Sequence, residues 1–347
     1  MCLLIARTSQ VLLGAILIFS CISRAQVNPN QPHWLPVNVF DRQGNIVRDL
    51  RRENFRVLID GQSVEAQDAQ YHVAPRRILI LLDISWSMGT ANAANSGKWR
   101  VACEAVAVLL AHTPEDAPIA LIAFDKKVEH TIDFAPGRRA IESFIRGGTV
   151  EHSEPRGAAL FDAINEGLTV LQPAQQGDAL YVIGDGDDTA SHTSPKRLSA
   201  TLLKSGVRLF TLLFLEDSTF ENRLATEDFI HIVQETGGSV FSISANANEP
   251  ISSFNTGQVR TPSDQAPRTL NPKSARVPAF AYNSATREKL ELFTQTLSSQ
   301  IGGFYTLRIP VASSSKQRKV TLHIVDDKGG LQKNVEVVYP RAISPDR

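Results

Sequence analysis

The fold is decided by one stretch, Ile78-Leu79-Ile80-Leu81-Leu82-Asp83-Ile84-Ser85-Trp86-Ser87-Met88-Gly89, in which an apolar run stops at an aspartate. Five consecutive Ile and Leu residues predict a strand covered on both faces, as in the parallel sheets of α/β proteins. The aspartate and the two serines after it form the pattern Asp-x-Ser-x-Ser, a cluster of hard oxygen ligands. Open α/β sheets bind their ligands beyond the carboxyl ends of the strands, which is where these oxygens fall. A divalent cation is the simplest explanation of the cluster.

Apolar strands alternate with helical patterns from residue 76 to residue 245. This alternation predicts an α/β domain with a doubly wound, mainly parallel sheet and helices on both faces. The predicted strands are Ile78–Leu82, Ile119–Phe124, Ala179–Ile183 and Leu209–Leu215, with a short edge strand at Val128–Ile132. The predicted helices are Lys98–His112, Ala159–Leu171, Pro195–Lys204 and Glu227–Thr236.

A second acidic strand end supports the cation hypothesis. The apolar run from Ala179 to Ile183 continues directly into Gly184 and Asp185. Two carboxylates at adjacent strand ends repel each other unless a cation or a proton lies between them, so Asp83 and Asp185 together indicate a metal. Two carboxylates combined with hydroxyls and water suit Mg²⁺, with Ca²⁺ and Mn²⁺ as alternatives.

Five blocks of the sequence resemble, in order, those of the von Willebrand factor type A (VWA) family, and together they cover about half of the chain. They are Asp83-x-Ser85-x-Ser87, the helix from Lys98, and the segments Ile119–Asp125, Gly157–Ile164 and Asp185-Gly186. The resemblance implies a metal-ion-dependent adhesion site whose ligands are Asp83, Ser85, Ser87 and Asp185. In that family the serines bind the ion directly, the aspartates bind it directly or through water, and an acidic group of a protein partner completes the shell.

One ligand that the VWA resemblance implies is missing. The family usually has threonine in the loop before its second long helix, in the pattern Gly-Thr-x-Leu, whereas this chain has Ala158 there. The alanine side chain offers no oxygen. Water, Thr149 or Ser153 from the preceding loop are the alternatives for this position.

Two smaller modules flank the central domain in the sequence. Residues 26–75 have short strands and turns, and predict a small β module that packs on the following domain or pairs with C-terminal strands. Residues 246–285 are rich in proline and lack apolar periodicity, which indicates a linker. Residues 286–347 predict one helix, Arg287–Ile301, followed by β-strands. These flanks resemble those of a set of exported bacterial VWA proteins known chiefly from acidobacteria.

The N-terminus has the pattern of a secretory signal peptide over residues 1–25. A basic residue, a short apolar stretch and the small residues before Gln26 match such a signal, and the stretch is short of the roughly 20 residues that span a bilayer. We therefore expect an exported protein without a transmembrane span in the mature chain, located in the periplasm, on the cell surface or outside the cell. A lipid anchor on Cys21 is a minor alternative. Cleavage leaves Cys103 as the remaining cysteine, in a helix that is apolar nearly all round, which favours an inert thiol.

Charge and composition exclude other partner classes. The chain has 347 residues with 36 Lys and Arg against 36 Asp and Glu, so no overall charge favours nucleic acid or a membrane surface. A hydrophobic fraction of 42% is typical of a folded protein, and the length is sufficient for two or three domains.

The same residues also match, in part, the motifs of other functions. Asp185 and Asp187 match the Asp-x-Asp-x-Thr loop of haloacid-dehalogenase-like phosphatases, in which the first aspartate attacks phosphorus and Mg²⁺ balances the charge. That motif normally follows the first strand, whereas a long α/β segment precedes it here. A serine-hydrolase elbow and a zinc site lack the required spacing. The serines could also simply cap a turn, in a VWA scaffold without metal. We expect a binding protein and no enzyme activity.

Overall fold

The computed structural model describes residues 30–73, 76–89, 97–135, 137–147, 157–215, 220–244 and 284–345. The signal peptide, the loop residues Thr149 and Ser153, and nearly all of the proline-rich segment lie outside them. The helices are α1 (Gly97–His112), α2 (Gly137–Gly147), α3 (Leu160–Val170), α4 (Pro195–Ser205), α5 (Phe220–Glu235) and α6 (Ser284–Gly302). The strands are β1 (Asn30–Phe40), β2 (Phe55–Ile59), β3 (Gln62–Val64), β4 (Asp68–His72), β5 (Ile78–Asp83), β6 (Ile119–Phe124), β7 (Val128–Ile132), β8 (Ala179–Gly184), β9 (Arg208–Leu215), β10 (Val240–Ser244), β11 (Phe304–Ala312), β12 (Arg318–Ile324), β13 (Glu336–Val338) and β14 (Ala342–Ile343).

The central sheet has six strands in the order β10-β9-β8-β5-β6-β7. Every neighbouring pair is parallel except β6 and β7, which are antiparallel. Every residue of β5, β6 and β8 is buried, as the continuous apolar runs predict. The predicted doubly wound, mainly parallel sheet is confirmed.

Two helical layers cover this sheet because successive side chains of a strand point to opposite faces. Ile78, Ile80 and Leu82 pack on one side with α1 and α6, while Leu79 and Leu81 pack on the other with α3, α4 and α5. The C-terminal helix α6 therefore contributes to the core of the central domain, through buried residues at helical spacing, Leu290, Phe293, Leu297 and Ile301.

A β-sandwich forms from the two flanking segments of the chain. Its sheets have the orders β13-β1-β11-β4 and β14-β12-β2-β3, so each contains strands from both sides of the central domain. The longest pairing joins β1 to β11, antiparallel from Asn30 opposite Ala312 to Val37 opposite Tyr305. The central domain is thus inserted between the two halves of this sandwich.

The sandwich packs against the amino-terminal edge of the central sheet. Arg208, at the start of β9, is buried and its Nη1 donates to Asn38 Oδ1 on β1 and to the carbonyl of Gln300, both at 3.0 Å. Its guanidinium lies 4.6 Å from the ring centre of Phe304 on β11. Because the strands are parallel, the opposite edge of the sheet, which carries Asp83, is directed away from the sandwich.

Most predicted elements of the central domain agree with the structure to within one residue at each end. Helix α5 begins at Phe220, seven residues before the predicted start at Glu227. Helix α2 and strands β3, β4, β10 and β14 had not been assigned. None of the described helices is both long enough and apolar enough to cross a membrane.

Candidate metal and partner-binding site

Two neighbouring strands bring the predicted aspartates to one edge of the central sheet. Asp83 is the last residue of β5, and Asp185 directly follows β8, which is hydrogen-bonded to β5 in parallel register. The connection from β5 leads to β6 on its other side, so the strand order reverses between β5 and β8. Sheets of this kind bind ligands at such a reversal. We call the group Asp83, Ser85, Ser87 and Asp185 at this edge the rim.

Asp83 is a buried carboxylate, with 2% of its surface exposed. Its Oδ1 accepts a hydrogen bond from the Ser85 backbone N–H at 2.8 Å. Burial raises the pKa of Asp83, and repulsion from the Asp185 carboxylate raises it further, while the hydrogen bonds from Ser85 and the positive charge of Lys98 act in the opposite direction. The unfavourable burial and the like-charge repulsion are the conditions that a bound cation relieves.

Gly184 makes this close approach of the two strand ends possible. A Cβ atom at Gly184 would lie 2.7 Å from Asp83 Cβ and 2.9 Å from Asp83 Oδ2. No side chain fits between the two strand ends at this point. Nothing in the sequence around Gly184 indicates this contact, because it depends on the neighbouring strand.

The two serines stand on a single turn of 3₁₀ helix, Trp86–Met88. Ser85 precedes the turn without a capping hydrogen bond from its side chain, so the simple capping interpretation is wrong for this residue. Its Oγ lies 3.0 Å from Ser87 Oγ. Ser85 is buried beside Asp83 and Ser87 is exposed, so the pair leads from the buried carboxylate to the surface.

Lys98 also belongs to this site, although its sequence pattern predicted only the start of a helix. Its side chain is 5% exposed, and Nζ lies 3.7 Å from Asp185 Oδ2. The same ammonium group donates to the Ser87 carbonyl at 3.1 Å. Because Lys98 meets Asp185 only through the fold, neither residue's local sequence gives a signal of the pair.

The third loop of the family pattern reaches the site without an oxygen-bearing side chain at Ala158. The Ala158 carbonyl accepts hydrogen bonds from Thr189 N at 2.9 Å and Ala190 N at 3.0 Å, which ties this loop to the one that begins at Asp185. The Ala158 side chain is buried, with 4% of the residue exposed. The backbone at Ala158 is therefore tied to the loop that follows Asp185, and its side chain supplies no oxygen.

The remaining acidic residues of the Asp185 loop have structural contacts. Asp188 Oδ1 accepts from Phe161 N at 3.2 Å and from Ser191 Oγ at 2.5 Å, so it caps α3. Neither Asp187 nor Asp188 caps α4, because the Ser194 side chain accepts from Arg197 N at the start of that helix. Asp187 donates its backbone N–H to Asp185 Oδ1 at 3.3 Å.

The donor set of the rim fits a small hard cation. Two carboxylates and two hydroxyls supply only oxygen, which suits Mg²⁺, Ca²⁺ or Mn²⁺ and not zinc or copper. Among the described residues no group of three or more His, Cys, Asp and Glu side chains is close enough to hold a metal. A cation at the rim would therefore depend on the serine hydroxyls and water for its remaining ligands.

Trp86 lies at the surface between the two serines of the rim. The residue is 52% exposed, among the most exposed large apolar residues of the described chain. Among the described residues no loop covers it. An exposed indole beside polar groups is the kind of side chain that anchors a protein partner.

The central domain matches a known protein family. Residues 78–187 match the model of the family described as von Willebrand factor type A domain. The chain therefore contains a domain of the von Willebrand factor type A family, which begins at the strand that ends in Asp83. No curated protein sequence matches the chain.

Three solved structures are similar to parts of the chain at low sequence identity. A von Willebrand factor type A protein from Catenulispora acidiphila is 12% identical, with 90% of this chain and 75% of that chain covered and a TM-score of 0.42. BatB, a conserved hypothetical protein from Bacteroides thetaiotaomicron, is 17% identical over 49% of this chain and 89% of its own, with a TM-score of 0.37. An aerotolerance-related membrane protein from Bacteroides fragilis is 20% identical over 49% and 90%, with a TM-score of 0.36.

Proposed function

We propose that the protein is an exported binding protein whose rim engages a protein partner through a divalent cation, with Mg²⁺ as the first candidate and Ca²⁺ or Mn²⁺ as alternatives. A VWA domain is a scaffold for protein interaction, and this much follows from the family. The observation that carries the finer proposal is the convergence of Asp83, Ser85, Ser87 and Asp185 at the reversal point of the sheet.

Each residue of the rim has a distinct part in this proposal. Asp83 and Asp185 would hold the cation by charge, and the Ser85 and Ser87 hydroxyls would supply neutral ligands between the buried carboxylate and the surface. When bound, the cation supplies a positive charge for an acidic group of the partner. Trp86 would add apolar contact area next to that charge.

Calorimetric titration of Mg²⁺, Mn²⁺ and Ca²⁺ into the purified protein tests the cation. We expect saturable binding by the native protein that is lost in Asp83→Ala, because the substitution removes a carboxylate from the donor set. Asp116→Ala is the matched control: this exposed aspartate precedes β6, at the opposite edge of the sheet, and its removal should leave binding unchanged. Equal binding by native protein and Asp83→Ala would exclude the rim as the cation site.

The phosphatase alternative makes a different prediction. It requires turnover of a generic phosphomonoester that disappears in Asp185→Asn, because Asp185 would be the nucleophile. In the structure Asp185 forms an ion pair with Lys98, and the Oδ1 atom of Asp185 accepts a hydrogen bond from Asp187 N. Neither contact requires catalysis. We propose that no such turnover is found.

Export and partner identity need separate measurements. The N-terminus of the protein recovered outside the cytoplasm should be determined. The chain should begin at Gln26 if residues 1–25 are a signal peptide, or at a modified Cys21 if the lipid anchor is correct. Chemical crosslinking in the native cell envelope, followed by recovery of native protein and Asp83→Ala in parallel, would identify a partner that depends on the rim.

A further inference from the structure

Lys98 places a positive charge inside the donor set that the proposed cation would use. Its ammonium nitrogen lies 3.7 Å from Asp185 Oδ2, within ion-pair distance. It also interacts electrostatically with Asp83. The three charged groups Asp83, Asp185 and Lys98 are all buried or nearly so, and charges in such surroundings are poorly screened.

Burial and anchoring hold the ammonium in place. Lys98 lies in the first turn of α1, so its backbone position is fixed by a helix whose buried residues pack on the central sheet. The hydrogen bond to the Ser87 carbonyl, at 3.1 Å, fixes the ammonium beside the serine turn. With 5% of the side chain exposed, Lys98 cannot easily turn into solvent when a cation arrives.

We infer that Lys98 is a built-in competitor of the divalent cation and lowers the affinity of the rim for it. Without a cation the ammonium offsets one of the two carboxylate charges, which reduces the repulsion between Asp83 and Asp185. A divalent cation then has to share Asp185 with a fixed positive charge only a few ångströms away, and the two like charges repel. Loading also leaves the cluster with a net positive charge, which a partner's acidic group can neutralise.

The test is the affinity for Mg²⁺ alone in charge variants of Lys98. This inference rests on the proposed cation site. Lys98→Met keeps the length and apolar stem of the side chain and removes the charge, and we expect it to bind Mg²⁺ about tenfold tighter than native protein or better. Lys98→Gln is a second neutral variant in case methionine disturbs the turn, and circular dichroism establishes that each variant is folded.

Two controls separate the local charge from general effects. Lys98→Arg keeps the charge and should bind Mg²⁺ about as weakly as native protein. Lys126→Met removes the same unit of charge from an exposed side chain just after β6, at the same edge of the sheet, and should change the affinity by less than about twofold because solvent screens it.

The outcomes distinguish this inference from the proposed function. If native protein binds Mg²⁺ and both neutral variants bind no tighter, the competitor role of Lys98 is wrong and the cation site stands. If only the neutral variants bind, Lys98 is a competitor strong enough to exclude the metal, and the metal-dependent function of the native protein is wrong. If none of the folded proteins binds, both proposals fall.

Discussion

A buried carboxylate is costly unless its charge is compensated, and Asp83 receives that compensation from several directions. Its Oδ1 is held by the Ser85 N–H, and the ammonium of Lys98 lies near the same cluster. These contacts stabilise the charge only in part, since the pKa of Asp83 remains raised. The charge of Asp83 therefore costs stability that a cation at the proposed site would recover.

Cys103 gives a test of burial at the scale of one residue. Burial, with a smaller contribution from Glu104, raises the pKa of its thiol to about 12. Relative to an ordinary thiol of pKa 9.0, the thiolate population at pH 8 is about a thousandfold smaller. We expect the native protein that begins at Gln26 to react with iodoacetamide far more slowly than the same protein unfolded in urea. Equal rates would mean that Cys103 is accessible and ordinary.

At the scale of elements, sequence predicts best where a pattern is local and long. The runs that form β5, β6 and β8 are apolar throughout, so their positions follow from burial alone. Helix α2 was not predicted although its sequence carries the signal, because Ile141, Phe144 and Ile145 recur at helical spacing and pack on the core. Asp83 and Asp185 could be predicted as neighbours because each follows an apolar strand. The position of Lys98 beside them depends on how α1 packs, which its local sequence does not indicate.

Substitution of Gly184 tests whether the ends of β5 and β8 have to lie in close contact. We expect Gly184→Ala to destabilise the protein by about 1–3 kcal/mol, because the new methyl group overlaps Asp83 and forces that side chain to move. Cation binding at the rim should weaken in the same variant. Urea unfolding and Mg²⁺ calorimetry are the measurements.

Gly302→Ala is the matched control for this substitution. Gly302 ends α6, and a Cβ atom there would meet nothing within 4 Å, so we expect no loss of stability. A Gly184→Ala protein as stable as the control, with unchanged cation binding, would contradict the crowded strand ends.

At the scale of the whole molecule, the sequence did not predict which strands of the two flanking segments pair, nor the register of their pairing. From sequence alone the N-terminal strands could pack on the next domain or pair with C-terminal strands, and in the structure β1 pairs with β11. Register between such strands depends on a shared core, here formed by residues such as Leu35, Val57 and Leu307. No local signal in either segment names its partner.

Leu307→Ala tests whether the two flanking segments fold as one unit. Leu307 is fully buried in the sandwich core, so we expect a loss of about 2–5 kcal/mol and faster amide hydrogen exchange in β1 and β4, which pair with β11. The exposed Leu292→Ala, on α6, should change stability by less than about 0.5 kcal/mol. Faster exchange confined to β11 would show that the N-terminal strands are independent.

The position of the sandwich has a mechanical consequence for a protein that holds a partner at the rim. The rim and the sandwich lie at opposite ends of the six-residue strand β8, about 20 Å apart. Tension applied between a captured partner and the N-terminal end of β1 would run along the parallel strands and then load β1 against β11. Those two strands are antiparallel over eight residue pairs, so their backbone hydrogen bonds would bear the pull together in shear instead of opening one after another.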